Sequence, residues 1–250
     1  MPVVWTTAFL DLPAAVHEAG TAFWCAATRS TRSPARGSAG EFATLLPPDG
    51  DAYLRVQRTG DVPRVHVDVH VADVAAHAAL ARDLGATELH REDHVVLASP
   101  GGFVLCLVPD GGERRRPEPV AGPGGGAQRV DQLCLDVPAA LLDAERAFWP
   151  ALTGWPARTG ARPEFTVLER PAGIPLRLML QRLGDDDPRT TVGAHLDLAC
   201  GPTRAAVAAE HLALGAAHVA EGHGWTVLRD PAGQVYCLTG RDPVTGLVPR

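Results

Sequence analysis

Two histidines stand two residues ahead of an aspartate: His66 and Asp68 in RVHVDVHVADV (64–74), and His195 and Asp197 in GAHLDLACGPT (193–203). On an extended chain, residues i and i+2 share a face, so each pair sets an imidazole beside a carboxylate. The carboxylate favours the charged imidazole and raises its pKa, which suits a general base near neutral pH. The same pair also reads as a strand histidine hydrogen-bonded to its neighbours in a polar wall, and both readings stand. Arg55 and Arg177 occupy equivalent places in the two halves. Each guanidinium is a partner for a carboxylate or phosphate, bidentate where geometry allows, or else a strand-end cation reaching solvent or a neighbouring Asp. Gln57 and Gln181 sit in two matching Gln-Arg pairs. The five cysteines, Cys25, Cys106, Cys134, Cys200 and Cys237, are odd in number and form no C-x-x-C. That indicates neither a disulfide framework nor a thiolate zinc site. With no positioned base beside them, Cys106 and Cys237 read as packing groups. No catalytic residue is assigned.

These residues repeat because the halves repeat. FLDLPAAVHEAGTAFW (9–24) matches CLDVPAALLDAERAFW (134–149), Glu41-Phe42 matches Glu164-Phe165, and VLASPGGFVLCL (96–107) matches VLRDPAGQVYCL (227–238). The offset drifts only from 123 to 131, as small loop insertions would make it. The chain is a tandem duplication. Residues 109–129 are Gly- and Pro-rich with almost no large apolar side chains, and read as a linker. The expected organisation is a module over 1–110, a linker over 111–128 and a second module over 129–250.

Each half reads as strand, helix and three strands, then the same order again. RVHVDVHV alternates cleanly and predicts a strand. Asp73 is a cap for the helix that follows, and Gly85 ends it. Residues 13–27 predict an earlier helix with Pro13 in its first turn. Trp24 and Trp149 end equivalent helices and are expected as core wedges.

The chain has 250 residues, 46% hydrophobic and 21% charged, and a net charge of −6. That reads as a soluble globular protein without the basic face nucleic acid needs. All 23 basic residues are Arg, with no Lys or Asn, the coding bias of a GC-rich bacterial genome. The N-terminus lacks a basic signal-peptide region and no apolar run is long enough to span a membrane. A cytoplasmic location is the expectation.

The βαβββ-βαβββ order in each half, AFWPALTGW at a helix end, the HLDL strand and WTVLRDPAGQVYCL together resemble the vicinal-oxygen-chelate superfamily, closest to its glyoxalase-like subgroup. The resemblance covers nearly the whole chain apart from the linker. It implies an α+β fold of two tandem glyoxalase-like modules, each curling its sheet into a cup. Period-two alternation then sends Val65, Val67, Val69 and Val71 toward the helices. It turns His66, Asp68 and His70 into the first cup, and His195, Asp197 and Ala199 into the second. Arg55, Gln57, Arg177 and Gln181 line the cups from neighbouring strands, with Thr7, Phe9, Gln132, Cys134, Val104, Cys106, Val235 and Cys237 on the first and last ones.

Metal-dependent relatives use His, Gln or Glu from these strands. Here Cys stands where the last strand would carry Glu. The leading expectation is therefore a protein without a cofactor that binds a small molecule, sequestering a natural product or antibiotic as bleomycin-resistance relatives do. The alternative is a lyase, isomerase or dioxygenase with a divalent ion at Gln132, Gln181 and His195. The expected state is a monomer with pseudo-dimeric halves or a homodimer, without nucleic-acid or membrane partners.

Overall fold

The computed structural model describes residues 2–122 and 124–248; Met1, Pro123, Pro249 and Arg250, which fall within the expected modules and linker, lie outside the described residues. The chain is α+β, with two tandem modules that each carry one curved mixed sheet. The first module runs β1 (Val3–Leu12), α1 (His17–Thr28), β2 (Thr31–Arg32), β3 (Phe42–Leu46), β4 (Leu54–Arg58), β5 (Arg64–Val71), α2 (Val74–Asp83), β6 (Thr87–Arg91), β7 (Val95–Ala98) and β8 (Val104–Pro109). A short β9 (Val120–Ala121) pairs with β10 (Ala127–Val137). Then follow α3 (Leu142–Thr153), β11 (Ala157–Thr159), β12 (Phe165–Leu168), β13 (Arg177–Arg182), β14 (Gly193–Ala199), α4 (Arg204–Ala213), β15 (Ala217–Gly222), β16 (Trp225–Arg229) and β17 (Val235–Thr239).

The first sheet has the order β2-β3-β4-β1-β5-β8-β7-β6, and the second β11-β12-β13-β10-β14-β17-β16-β15. Strands β5 and β8 are parallel, which sets Asp68 opposite Cys106. Their counterparts β14 and β17 set Asp197 opposite Cys237 in the same way. The alternating valines of β5 are all buried, the apolar set that holds this strand against its neighbours.

The helix ends follow local chemistry. The Ala76 N–H donates to Asp73 Oδ1 at 2.9 Å, capping α2. Gly85 and Gly215, at φ 96° and 100°, take the left-handed conformation that ends α2 and α4. The first helix departs from expectation. It begins at His17, because residues 13–16 close a turn in which the Val16 N–H donates to the Pro13 carbonyl at 3.0 Å.

The described residues pack as two compact units. One comprises residues 2–8, 66–115 and 133–194; the other comprises residues 9–65, 116–122, 124–132 and 195–248. In the first unit α2 packs on α3 and β8, and Phe103 lies 6.0 Å from the fully buried Trp149. In the second unit Trp24 and Tyr236 stack edge-on at 5.2 Å, with Phe23 set edge-on to His211. Both tryptophans are the core wedges that the repeat suggests.

His211, wholly buried on α4, makes this second core sensitive to acid. The Gln128 amide donates to the Ala27 carbonyl, so its Oε1 is left to accept from His211 Nε2 at 2.8 Å. His211 Nδ1 must then accept from the Tyr236 hydroxyl, also at 2.8 Å. This pattern fits only a neutral ring. Burial first, and then the Arg29 charge, push its pKa down from 6.5 to about 4. Above the ordinary histidine value both folded and unfolded chains are neutral here, and the group costs nothing. As pH falls from 6.5 toward 4, the unfolded chain takes up a proton that the folded chain refuses. Folding stability is expected to fall by about 3 kcal/mol over that window. Denaturation of wild type and His211→Gln across it checks this: the variant should show a shallower decline, and parallel curves would refute the assignment.

Candidate metal and ligand site

Strand β5 brings His66, Asp68 and His70 onto one face, and all three are buried. His66 Nε2 lies 3.6 Å from Asp68 Oδ1. Because β8 runs parallel beside it, Cys106 joins them, and the ligand atoms of His66, Asp68 and Cys106 lie within 4.8 Å of one another. Further along the face, His70 Nε2 meets Thr7 Oγ1 at 3.0 Å, and its Nδ1 lies 3.6 Å from Glu113 Oε2. On the neighbouring strands of this module, the half-buried Arg55 guanidinium lies over the Phe9 ring, 5.6 Å from its centroid. Phe42 meets the same ring edge-on at 6.3 Å, and Gln57 is registered opposite Phe42 on β4.

The second module repeats the pair but surrounds it differently. His195 Nε2 lies 3.3 Å from Asp197 Oδ1. The Gln132 amide donates to Asp197 Oδ2, and Arg241 Nη1 lies 3.5 Å from that same oxygen. The other arm of Arg241 is bound to Asp131. All of these groups are buried. Burial pushes the Asp197 carboxyl up, but the bond and charge of His195, the Arg241 charge and Gln132 outweigh it and hold the carboxyl below its ordinary range. Burial likewise works against the charge on Arg241, and Asp131 and Asp197 more than restore it.

The remaining residues singled out from sequence are placed as follows. Gln181 Oε1 accepts from Cys134 Sγ at 3.6 Å. Cys134 also packs with Val167 and Met179. Arg177 is half-buried on β13, and Cys237 is buried opposite Asp197. The structure thus joins His66 with Asp68 and His195 with Asp197. It ties Gln132 to Asp197 and Gln181 to Cys134. Sequence reasoning missed Arg241. It follows β17 in a Gly-Arg-Asp-Pro turn, where strand alternation gives no direction for the side chain.

The two donor sets differ in their fit to a divalent ion. His66, Asp68 and Cys106 offer an imidazole, a carboxylate and a thiol that ionises on binding. Two anionic donors offset a dication, and mixed N, O and S ligands suit a borderline metal. The second set is a poorer fit, because a guanidinium already balances the Asp197 charge.

A protein-family model described as a glyoxalase-like domain matches residues 7–108 and 132–239. No curated protein matches the chain. Among solved structures, the Mn(II)-bound glyoxalase from Novosphingobium aromaticivorans shares 13% identity at a TM-score of 0.64, over 98% of this chain and 84% of that one. The 2,2',3-trihydroxybiphenyl 1,2-dioxygenase from Sphingomonas wittichii shares 15% at 0.66, over 98% and 93%. A xylose isomerase-like TIM barrel/4-hydroxyphenylpyruvate dioxygenase fusion protein shares 13% at 0.61, over 94% of this chain and 49% of that one, so this chain spans about half its length. These likenesses carry the fold. The expectation of a protein without a cofactor is corrected: the grouping of His66, Asp68 and Cys106, and a manganese-bound protein among the similar structures, point to a divalent metal instead. The expectation failed because it counted a Cys in place of Glu as a lost ligand, and left Asp68 and Asp197 out of the donor sets. Among the described residues no helix is long and apolar enough to cross a membrane.

Proposed function

Since the chain belongs to the glyoxalase-like domain family, we propose that it is a metal-dependent enzyme of the lyase, isomerase or dioxygenase type, acting on a small oxygen-bearing molecule. His66, Asp68 and Cys106 would hold the ion. The observation that carries this reading is their convergence within 4.8 Å on two parallel strands. A bound divalent ion would supply Lewis-acid polarisation of substrate oxygens. His70 stands one step along the same face, held between Thr7 and Glu113, and is the residue placed to take up or return a proton. The burial of the strand excludes bulk water from these groups. The similar structures named above include a manganese glyoxalase and a ring-hydroxylated substrate's dioxygenase, which supports the class without naming the substrate. Sequestration of an antibiotic without a metal has no such support.

Chelator-stripped protein titrated with Mn(II), Fe(II) or Zn(II) tests this. One ion per chain is expected by elemental analysis. His66→Ala should weaken binding by at least about tenfold, while His195→Ala should leave it unchanged. Wild type that takes up no ion, or a loss confined to His195→Ala, would overturn the reading.

A further inference from the structure

His70 and Glu113 are a pair found in one copy of the repeat and not in the other. Counting from His66 and His195, His70 corresponds to Ala199. Counting without a gap from Leu107 and Leu238, Glu113 corresponds to Val244, which is 55% exposed. Both partners stand in the first copy and both are replaced in the second. In the first unit His70 is 2% exposed, and its Nδ1 lies 3.6 Å from Glu113 Oε2.

The segment after β8 is built to deliver that carboxylate. The Asp110 N–H donates to the Val71 carbonyl at 3.1 Å, which continues the pairing of β8 with β5. Asp110 then closes a latch. Its Oδ1 accepts from the Gly112 N–H at 2.9 Å, and Arg114 grips both carboxylate oxygens, at 2.9 and 2.6 Å. Gly112 takes the left-handed φ of 90°. A Cβ at 111 would come within 2.6 Å of Glu113 Oε2, so glycine there leaves room for the carboxylate. Glu113 is half-buried, while the other residues of 110–115 are exposed.

A carboxylate can only accept, whereas a neutral imidazole carries its one hydrogen on either nitrogen. At 3.6 Å the contact is electrostatic rather than a formed hydrogen bond. A carboxylate in a buried setting attracts an N–H and repels a lone pair. We propose that Glu113 is a positioning residue that keeps the hydrogen of His70 on Nδ1, so that Nε2 turns its lone pair to Thr7, and that the Asp110–Arg114 latch holds Glu113 in place. Nε2 then accepts from the Thr7 hydroxyl at 3.0 Å. On the reading of His70 given above, on which this rests, Nε2 is the nitrogen presented for proton transfer.

Long-range proton–nitrogen NMR on the metal-free full chain reads the tautomer, at about pH 8.5 where imidazole is neutral. The His70 signals are those lost in His70→Gln. Wild type should carry the hydrogen on Nδ1. Glu113→Ala should shift the tautomer ratio toward Nε2–H by about tenfold. Gly111→Ala should do the same by displacing the carboxylate; it lies in an exposed loop and decides the matter if Glu113→Ala fails to fold. Glu113→Gln should keep Nδ1–H, because its amide oxygen still accepts, and Thr7→Val should leave Nδ1–H in place. Hydrogen on Nε2 in wild type, an unchanged ratio in Glu113→Ala, or a switch caused by Thr7→Val would overturn the proposal. A chain that takes up no ion yet shows the Glu113-dependent tautomer would refute the metal reading and support this one.

Discussion

Arg241→Gln is expected to cost about 5 kcal/mol of folding stability, lowering the melting temperature by roughly 10 °C or more. The guanidinium is 6% exposed and bridges two carboxylates that are buried more deeply still, Asp131 and Asp197. Removing it leaves two anions in a medium that cannot solvate them. Breaking a buried pair from one side usually costs 3–5 kcal/mol, and here one substitution breaks two pairs. Gln132 still donates to Asp197 and His195 still lies beside it, so Asp131 should account for most of the loss. A double variant, Arg241→Gln with Asp131→Asn, should therefore recover part of the stability. Arg91→Gln provides the comparison: its pair with Glu88 is exposed, and its melting temperature should barely move. If Arg241→Gln melts with Arg91→Gln, the buried bridge has been misassigned.

The same cluster marks the limit of what could be read from sequence. The duplication was legible because motif after motif recurs at nearly constant offset. The faces of β5 and β14 were legible because period two leaves no alternative once one set of residues is apolar. His66 and Asp68 therefore fell together on inspection. That Cys106 completes their group depends on the parallel pairing of β5 with β8, a long-range register that no local pattern encodes. Arg241 is one arginine among 23; nothing in a turn predicts that it folds back onto two aspartates more than forty residues away. The start of α1 was misplaced for a local reason. Proline is equally at home in a first helical turn and at the start of a tight turn, and the backbone here takes the second option. The Asp-Pro-Ala-Gly turn was recognised as a motif, but its partner in space was not, because the two are 206 residues apart.

That turn leads to the other large effect. In the second unit Asp230 opens the turn between β16 and β17. Its Oδ2 accepts from the Trp24 indole at 2.7 Å, and its Oδ1 accepts from the Ala232 and Gln234 N–H groups, both at 2.9 Å. In the first unit the equivalent turn opens with Ser99, which has no carboxylate. The carboxylate comes instead from Glu145 on α3: Oε1 accepts from Ser99 Oγ at 2.6 Å and the Gly101 N–H at 2.7 Å, and Oε2 from the Trp149 indole at 2.6 Å. One physical problem, a buried indole facing a turn of unsatisfied N–H groups, is solved from the turn in one unit and from the helix in the other. The helical solution demands glycine at 101, since a Cβ there would come within 2.8 Å of Glu145 Oε1 and 2.5 Å of Val192 Cγ2. Position 232, where the turn supplies its own carboxylate, holds alanine. Glu145→Ala strands three buried donors and is expected to cost about 4 kcal/mol, read by urea or thermal denaturation. Adding Ser99→Asp to that variant builds the Asp230 arrangement into the first unit, and about half of the loss should return, whereas Ser99→Asp alone should destabilise by setting two carboxylates against one another. Equal stability of Glu145→Ala with and without Ser99→Asp would show that the two turns are not interchangeable solutions.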